Sequence, residues 1–186
     1  MVLWIIGAIV AAFLIWIITA YNGLVSLNNR TLNGWKQIDV QLKRRHDLIP
    51  NLVETVKGVM KFEQTTLTQV IEARNRAISA QGIADKAVQE NALTGALSKL
   101  FALAENYPNL KSNENVSRLQ EELSSTENRI GFARQFYNDI ATQFNIAQET
   151  FPTNIFAKTF GFKPSELFEI TDSSEREVPK VDLNLK

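Results

Sequence analysis

Val2 to Tyr21 form an unbroken apolar run, and the first charged side chain in the chain is Arg30. A helix of about 20 apolar residues is long enough to cross a bilayer. The core helix of a globular domain would show a polar face, and this run shows none. A cleaved leader carries a basic flank and a shorter apolar core. Here no Lys or Arg precedes the run, although Thr19-Ala20 would be an acceptable cleavage site. The pattern predicts a transmembrane anchor over 1–21, with Trp4 near one headgroup level and Trp16 and Tyr21 near the other. Gly7, Ala8, Ala11 and Ala12 place small residues four apart, the spacing at which two membrane helices approach closely and self-associate.

Beyond the anchor the apolar positions keep a helical period through Leu24, Leu27, Thr31, Trp35, Ile38, Leu42, Arg45 and Ile49. Steps of three and four predict a helix continuing out of the anchor without a break. Pro50 lacks an N–H and crowds the preceding turn. It therefore either kinks this helix or opens a second one in its first turn. The phase is kept through Leu52, Val56, Val59, Thr66 or Leu67, Val70 and Ala77, which favours the kink, and Gln81-Gly82 closes the segment. A further helix is expected from about Asp85 to Asn106, with Val88, Leu93, Ala96, Leu97, Leu100, Ala104 and Tyr107 inward. Pro108 ends it. Ser112 or Asn113 is placed to cap the next helix. There Val116, Leu119, Leu123, Thr126, Ile130, Ala133, Tyr137, Ile140, Phe144 and Ala147 form a heptad-like stripe about 55 Å long.

The predicted fold class is all-α: a transmembrane helix over 1–21 continuing into a long antiparallel four-helix bundle over 22–150. An aromatic-rich segment follows over 151–170. Phe151, Ile155, Phe156, Phe160, Phe162 and Phe168 are too apolar for a solvated loop, so they should cap the bundle, meet another subunit or touch lipid. Residues 171–186 turn polar and acidic, as flexible tails do. Val181, Leu183 and Leu185 alternate there with the period of a short strand.

Twenty basic and twenty acidic side chains cancel, so no basic field points to nucleic acid. With no cysteine, disulfides, thiol chemistry and a lipidated N-terminal cysteine are excluded. His46, the only histidine, has no Glu-x-x-His pairing for a metal, and it is expected to pack at the surface or at the kink. Neither a phosphate-binding glycine loop nor a nucleophile elbow occurs. The expectation is no enzyme, no cofactor and no metal.

Arg45 is the charge on an apolar stripe. A buried Arg needs a carboxylate. The expected interhelical polar network therefore joins Arg45 or Arg44 to Glu127 or Glu122, with Arg134 and Tyr137 beside them; the alternative is an Arg stem packing inside while its head reaches water. The basic excess of Arg30, Lys36, Lys43, Arg44 and Arg45 after the anchor favours a cytoplasmic C-terminal domain. Only Arg30 and Lys36 are near enough to the bilayer for lipid headgroup contact.

The stretch from Asn33 through Trp35-Lys36-Gln37-Ile38-Asp39 to His46-Asp47-Leu48-Ile49-Pro50-Asn51-Leu52-Val53 resembles the signature of the LemA family. So do Leu119-Gln120-Glu121-Glu122-Leu123, Ala133-Arg134-Gln135-Phe136-Tyr137-Asn138, Tyr107-Pro108-Asn109-Leu110-Lys111 and Phe160-Gly161-Phe162. The resemblance covers nearly the whole chain after the anchor. It implies a bacterial or archaeal membrane protein with a short extracytoplasmic N-terminus and a helical-bundle domain, for which no enzymatic activity is established. Some relatives carry a lipidated cysteine, which this chain lacks. One branch is associated with magnetosome membranes, so membrane organisation is a theme. The expected function is a membrane-anchored scaffold that forms a homo-oligomer and organises a membrane patch or recruits another membrane protein. The alternative is a monomeric adaptor for a membrane protease or signalling partner.

Overall fold

A computed structural model of the chain describes residues 1–59 and 64–169. These hold six helices and no strand: α1 (Val2–Val59), α2 (Gln64–Ser79), α3 (Ile83–Ala104), α4 (Pro108–Lys111), α5 (Glu114–Glu149) and α6 (Thr153–Thr159). The tail over 171–186, with its strand-like alternation, lies outside the described residues.

Contacts between helices fix their directions. Asp39 meets Lys86 and Arg45 meets Glu90, so α1 and α3 run parallel. Arg45 also meets Glu127, while Gly34 meets Tyr137, so α5 runs antiparallel to α1. His46 meets Arg74, and Val53 and Lys57 share a cleft with Gln64 and Leu67, so α2 is antiparallel as well. The result is an up-down-up-down bundle of α1, α2, α3 and α5, with α4 as a one-turn link.

Four helices surround one core only in the half farther from the apolar run. There Ile49, Leu52 and Val56 of α1 pack with Val70, Leu93, Leu100 and Leu123. A middle cluster joins Ile38, Leu42, Ala87, Ile130 and Tyr137. Nearer the run, α1 and α5 continue as a pair around Leu24 and Phe144, because α3 begins only at Ile83, about level with Trp35. The pair crosses closely at Gly34. A Cβ there would lie 3.5 Å from the Tyr137 Cα, already in van der Waals contact with the facing helix.

α1 continues through Pro50, so no new helix opens there, yet the segment to Gln81-Gly82 is not one helix. The chain leaves α1 at Val59 and returns as α2 from Gln64. Leu67, Val70, Ala73 and Ala77 keep the helical spacing because they face the same core from the returning helix. Spacing alone does not separate one long helix from a hairpin of two.

Pro50 has no N–H to offer the carbonyl of His46, four residues earlier. Arg74 on α2 donates its Nε–H to that carbonyl at 2.8 Å. Replacing Arg74 by Met should therefore cost about 1.5–3 kcal/mol in the natural chain, as loss of a charge-assisted hydrogen bond does. In a Pro50→Ala background the introduced alanine supplies an N–H to that carbonyl, and the same substitution should cost well under half as much. A double-mutant cycle by denaturant unfolding measures the difference; equal costs in both backgrounds would remove Pro50 from the explanation.

Candidate functional site

The helices bring their buried polar side chains into one layer. Arg45 is 1% exposed and Glu90 0%. One Arg45 nitrogen pairs with Glu90 Oε2 and also donates to the Glu90 carbonyl at 3.1 Å. The other pairs with Glu127 and donates to Thr94 Oγ1 at 2.9 Å. His46 Nε2 lies 2.7 Å from Glu90 Oε1. An ionised carboxylate only accepts, so Nε2 is the protonated nitrogen of that contact. The layer thus ties α1, α3 and α5 together through one guanidinium fork, a geometry a lysine would not reproduce.

Of the other side chains expected in this network, Arg44 and Glu122 stand elsewhere, while Arg134 and Tyr137 turn to other partners beside it. Adjacent helix residues are about 100° apart, so Arg44 points outward and is exposed while Arg45 is buried. Glu122 meets Arg118 on its own helix at 3.8 Å. Arg134 is half-buried, with its guanidinium 4.6 Å from the centre of the Phe168 ring. Burial lowers the Arg134 pKa; Glu127 and Glu90 pull it back up, while Arg45 adds to the lowering. Tyr137 is fully buried and donates its hydroxyl to the Glu166 carbonyl at 2.6 Å. Burial, then the Glu166 charge, raises its pKa.

Glu90 is the residue the sequence pattern hides. Val88, expected inward, is 48% exposed, and α3 instead turns Ala87, Glu90, Leu93 and Leu97 inward. A carboxylate at an inward spacing is the signal, and it acquires meaning only opposite the unpaired charge of Arg45. Burial pushes the Glu90 carboxyl up, but the His46 hydrogen bond and the Arg45 charge outweigh it and hold the pKa below its ordinary 4.5. A depressed folded-state pKa supplies stability above the unfolded value, and that stability is lost as pH falls through the folded value. Melting temperature should therefore drop on acidification from about pH 6 to about pH 3, and Glu90→Gln should flatten that acid limb. An unchanged acid limb would take Glu90 out of the linkage.

The layer offers little to a substrate. Glu90 is sealed and His46 is 8% exposed. A cleft of about 220 Å³ between α3 and α5 reaches Arg45 and Glu127 past Leu97, Phe101 and Leu123. That is below the roughly 300 Å³ at which ligand pockets begin. Among the described residues no group of three His, Asp or Glu side chains is placed to hold a metal.

A second constellation lies at the other end of the bundle. α6 ends in a Schellman turn: the Phe162 N–H bonds the Ala157 carbonyl at 3.0 Å and the Gly161 N–H bonds that of Lys158 at 3.3 Å, with Gly161 at φ 73°. The chain then runs back along α5 as a strap over 162–169. Asn145 accepts from the Ser165 N–H at 2.8 Å and donates to the Ser165 carbonyl at 2.9 Å. Asn138 does the same to Phe168, at 2.8 Å and 3.2 Å. Seven helical residues rise about 10.5 Å, and three extended residues rise about 10 Å, so the two clamps match the strap's spacing.

The aromatic segment does not sit over the far end of the bundle. Phe156 packs edge-on to Trp16 at 5.4 Å, and Phe160 packs on Tyr21 at 4.9 Å. Phe162 bridges Tyr21 and Phe144, and Phe168 meets Trp35. Phe151 and Ile155 remain exposed. Gly7, Ala8, Ala11 and Ala12 lie on an exposed stretch of α1, and Arg30 and Lys36 are exposed beyond it.

Together these features define a helical-bundle protein built on one N-terminal helix long and apolar enough to cross a membrane, with no residue of its apolar window buried inside the chain. The chain belongs to the LemA family, whose match spans residues 34–183. It is 26% identical over 186 residues to Magnetosome protein MamQ 2 of Paramagnetospirillum magneticum, covering 86% of this chain and 68% of the relative. It is also 26% identical over 167 residues to Protein LemA of Metamycoplasma hominis, covering 88% and 73%. Magnetosome protein MamQ of Magnetospirillum gryphiswaldense is 24% identical over 183 residues, covering 84% and 67%.

Proposed function

We propose that this chain is a non-enzymatic, membrane-anchored helical scaffold that self-associates into a homo-oligomer and organises a membrane patch or recruits partners. The observation that carries the reading is an uncovered apolar groove between α1 and α5. Val40 is 64% exposed, Phe132 74% and Phe136 44%, with Lys36 and Arg129 at the edges. Large exposed rings in one groove mark contact surfaces more often than catalytic ones. Small residues Gly7, Ala8, Ala11 and Ala12 give the span a second contact face. Membrane organisation is the theme the family resemblance raises, and relatives named as magnetosome proteins support it. The basic flank of Arg30 and Lys36 supports a cytoplasmic bundle and headgroup contact at its base.

The mass of the full-length protein in mild detergent, by light scattering, tests the reading. A discrete particle many times the 21.0 kDa chain is expected, and Phe132→Asp with Phe136→Asp should reduce it to monomers or dimers while leaving helicity unchanged. A natural chain that is already monomeric would overturn self-association and favour the adaptor alternative.

A further inference from the structure

The groove and the span account for self-association, but they leave α6 unexplained. Phe151 is 76% exposed, Ile155 54% and Phe160 52%. Three large apolar side chains on a seven-residue helix and its flanks are costly to leave in water. Their location identifies what covers them. Phe156 rests on Trp16, and Trp16 lies five residues on the anchor side of Tyr21. Five helical residues are about 8 Å. With the run to Tyr21 crossing a bilayer, a ring touching Trp16 lies at the depth of the interface, the roughly 5–10 Å to which amphipathic segments bury their apolar side chains.

Charge agrees with depth. Between Thr150 and Ser165 the sequence contains two lysines, Lys158 and Lys163, and no acid. Both lysines are exposed. Lys stems run past apolar surface and carry their ammonium groups out to the phosphate level, and anionic headgroups attract them. A second copy of the chain would cover the patch too. However, the patch is continuous with the uncovered apolar surface of the anchor, whose partner is the acyl chains.

We propose that α6 is a membrane-interface helix that seats Phe151, Ile155 and Phe160 in lipid just below the headgroups, with Lys158 and Lys163 at the phosphates. The proposal rests on the reading of Val2–Tyr21 as a membrane span. The strap holds α6 there: Asn138 and Asn145 fasten residues 165–168 to α5, so the return chain cannot drift from α1.

The chain has no cysteine, so single cysteines carry a spin label without a background. Full-length Ile155→Cys and Phe151→Cys would be placed in nanodiscs of phosphatidylcholine and phosphatidylglycerol, with Ile9→Cys in the span and Arg44→Cys on the bundle as references. Collisional access to oxygen, which enriches in lipid, is compared with access to a water-soluble nickel chelate. The oxygen-to-nickel ratio at 155 and 151 is expected to lie nearer that at 9 than that at 44. A ratio at 155 and 151 matching that at 44, with 9 still in lipid, would overturn the interface helix and leave the span standing. Exclusion of both reagents at 155 and 151 would overturn it in favour of a protein partner. Nickel access at 9 would overturn the span and the interface helix with it. Both test positions are exposed, so neither label disturbs the core.

Discussion

Glu90→Ala is expected to destabilise the bundle by about 3–5 kcal/mol, the usual cost of removing one partner from a buried ion pair. For a domain of this size that is a fall of roughly 6–20 °C in melting temperature. The size of the effect follows from what remains. Arg45 is almost wholly buried, and without Glu90 one half of its fork faces a single carbonyl oxygen. His46 loses its acceptor as well. Glu127 does not compensate, because its side chain is 37% exposed and its attraction is weakened by solvent. Arg45→Met is expected to be similarly harmful, since it strands Glu90.

Replacing the whole set, with Arg45→Met, Glu90→Leu and Glu127→Leu together, should recover most of the loss. Apolar replacements of similar volume often match or exceed a buried ion pair in stability. The layer's value then lies in register: it fixes which turn of α3 faces which turn of α1. Circular-dichroism melts of the single and triple variants separate the two roles. Arg45→Met melting at or above the natural chain would remove the basis for a register role.

The second large effect is expected at the strap. Asn138→Ala with Asn145→Ala removes four hydrogen bonds to backbone. Exchange of the Ser165 and Phe168 amides should accelerate roughly 10–100-fold, at about 1–3 kcal/mol for the lost acceptors. Asn145→Asp should be worse than Asn145→Ala. Aspartate still accepts from the Ser165 N–H, but it sets a carboxylate against the Ser165 carbonyl, where the amide had donated at 2.9 Å. Hydrogen exchange with mass spectrometry resolves the strap from α5. Protection unchanged in the double variant would mean that the packing of Trp35, Tyr137 and Phe168 and the Tyr137–Glu166 hydrogen bond hold the strap without the asparagines.

The sequence makes plain what is local and periodic. The continuous α1, the α5 stripe and the Asn113 cap, which accepts from the Asn115 and Val116 N–H groups, are all of this kind. Arg45 stands out because a charge on an apolar stripe violates the period. Glu90 does not, since α3 is apolar on several faces and a shift of its inward face exchanges Val88 for Ala87 and Glu90. The clamps Asn138 and Asn145 read as ordinary polar flanks, because their partners are backbone atoms some 20 to 30 residues away and leave no side-chain pattern. The placement of α6 depends on Trp16 and Phe156 meeting across nearly the whole chain, which no local period encodes.

α1 passes from the apolar run into the bundle as one helix, which makes it a lever. Arg45 stands 24 residues past Tyr21, about 36 Å along the axis. A tilt of about 20°, ordinary for a single span, would swing that level sideways by roughly 12 Å. Bilayer thickness, which sets tilt, would become lateral spacing between neighbouring bundles. In the proposed seating α6, braced against Trp16 and Tyr21 on one side of the rod, would act as an outrigger: leaning towards it would drive apolar rings deeper, and leaning away would lift them into water. In that seating the preferred lean has a direction as well as a size.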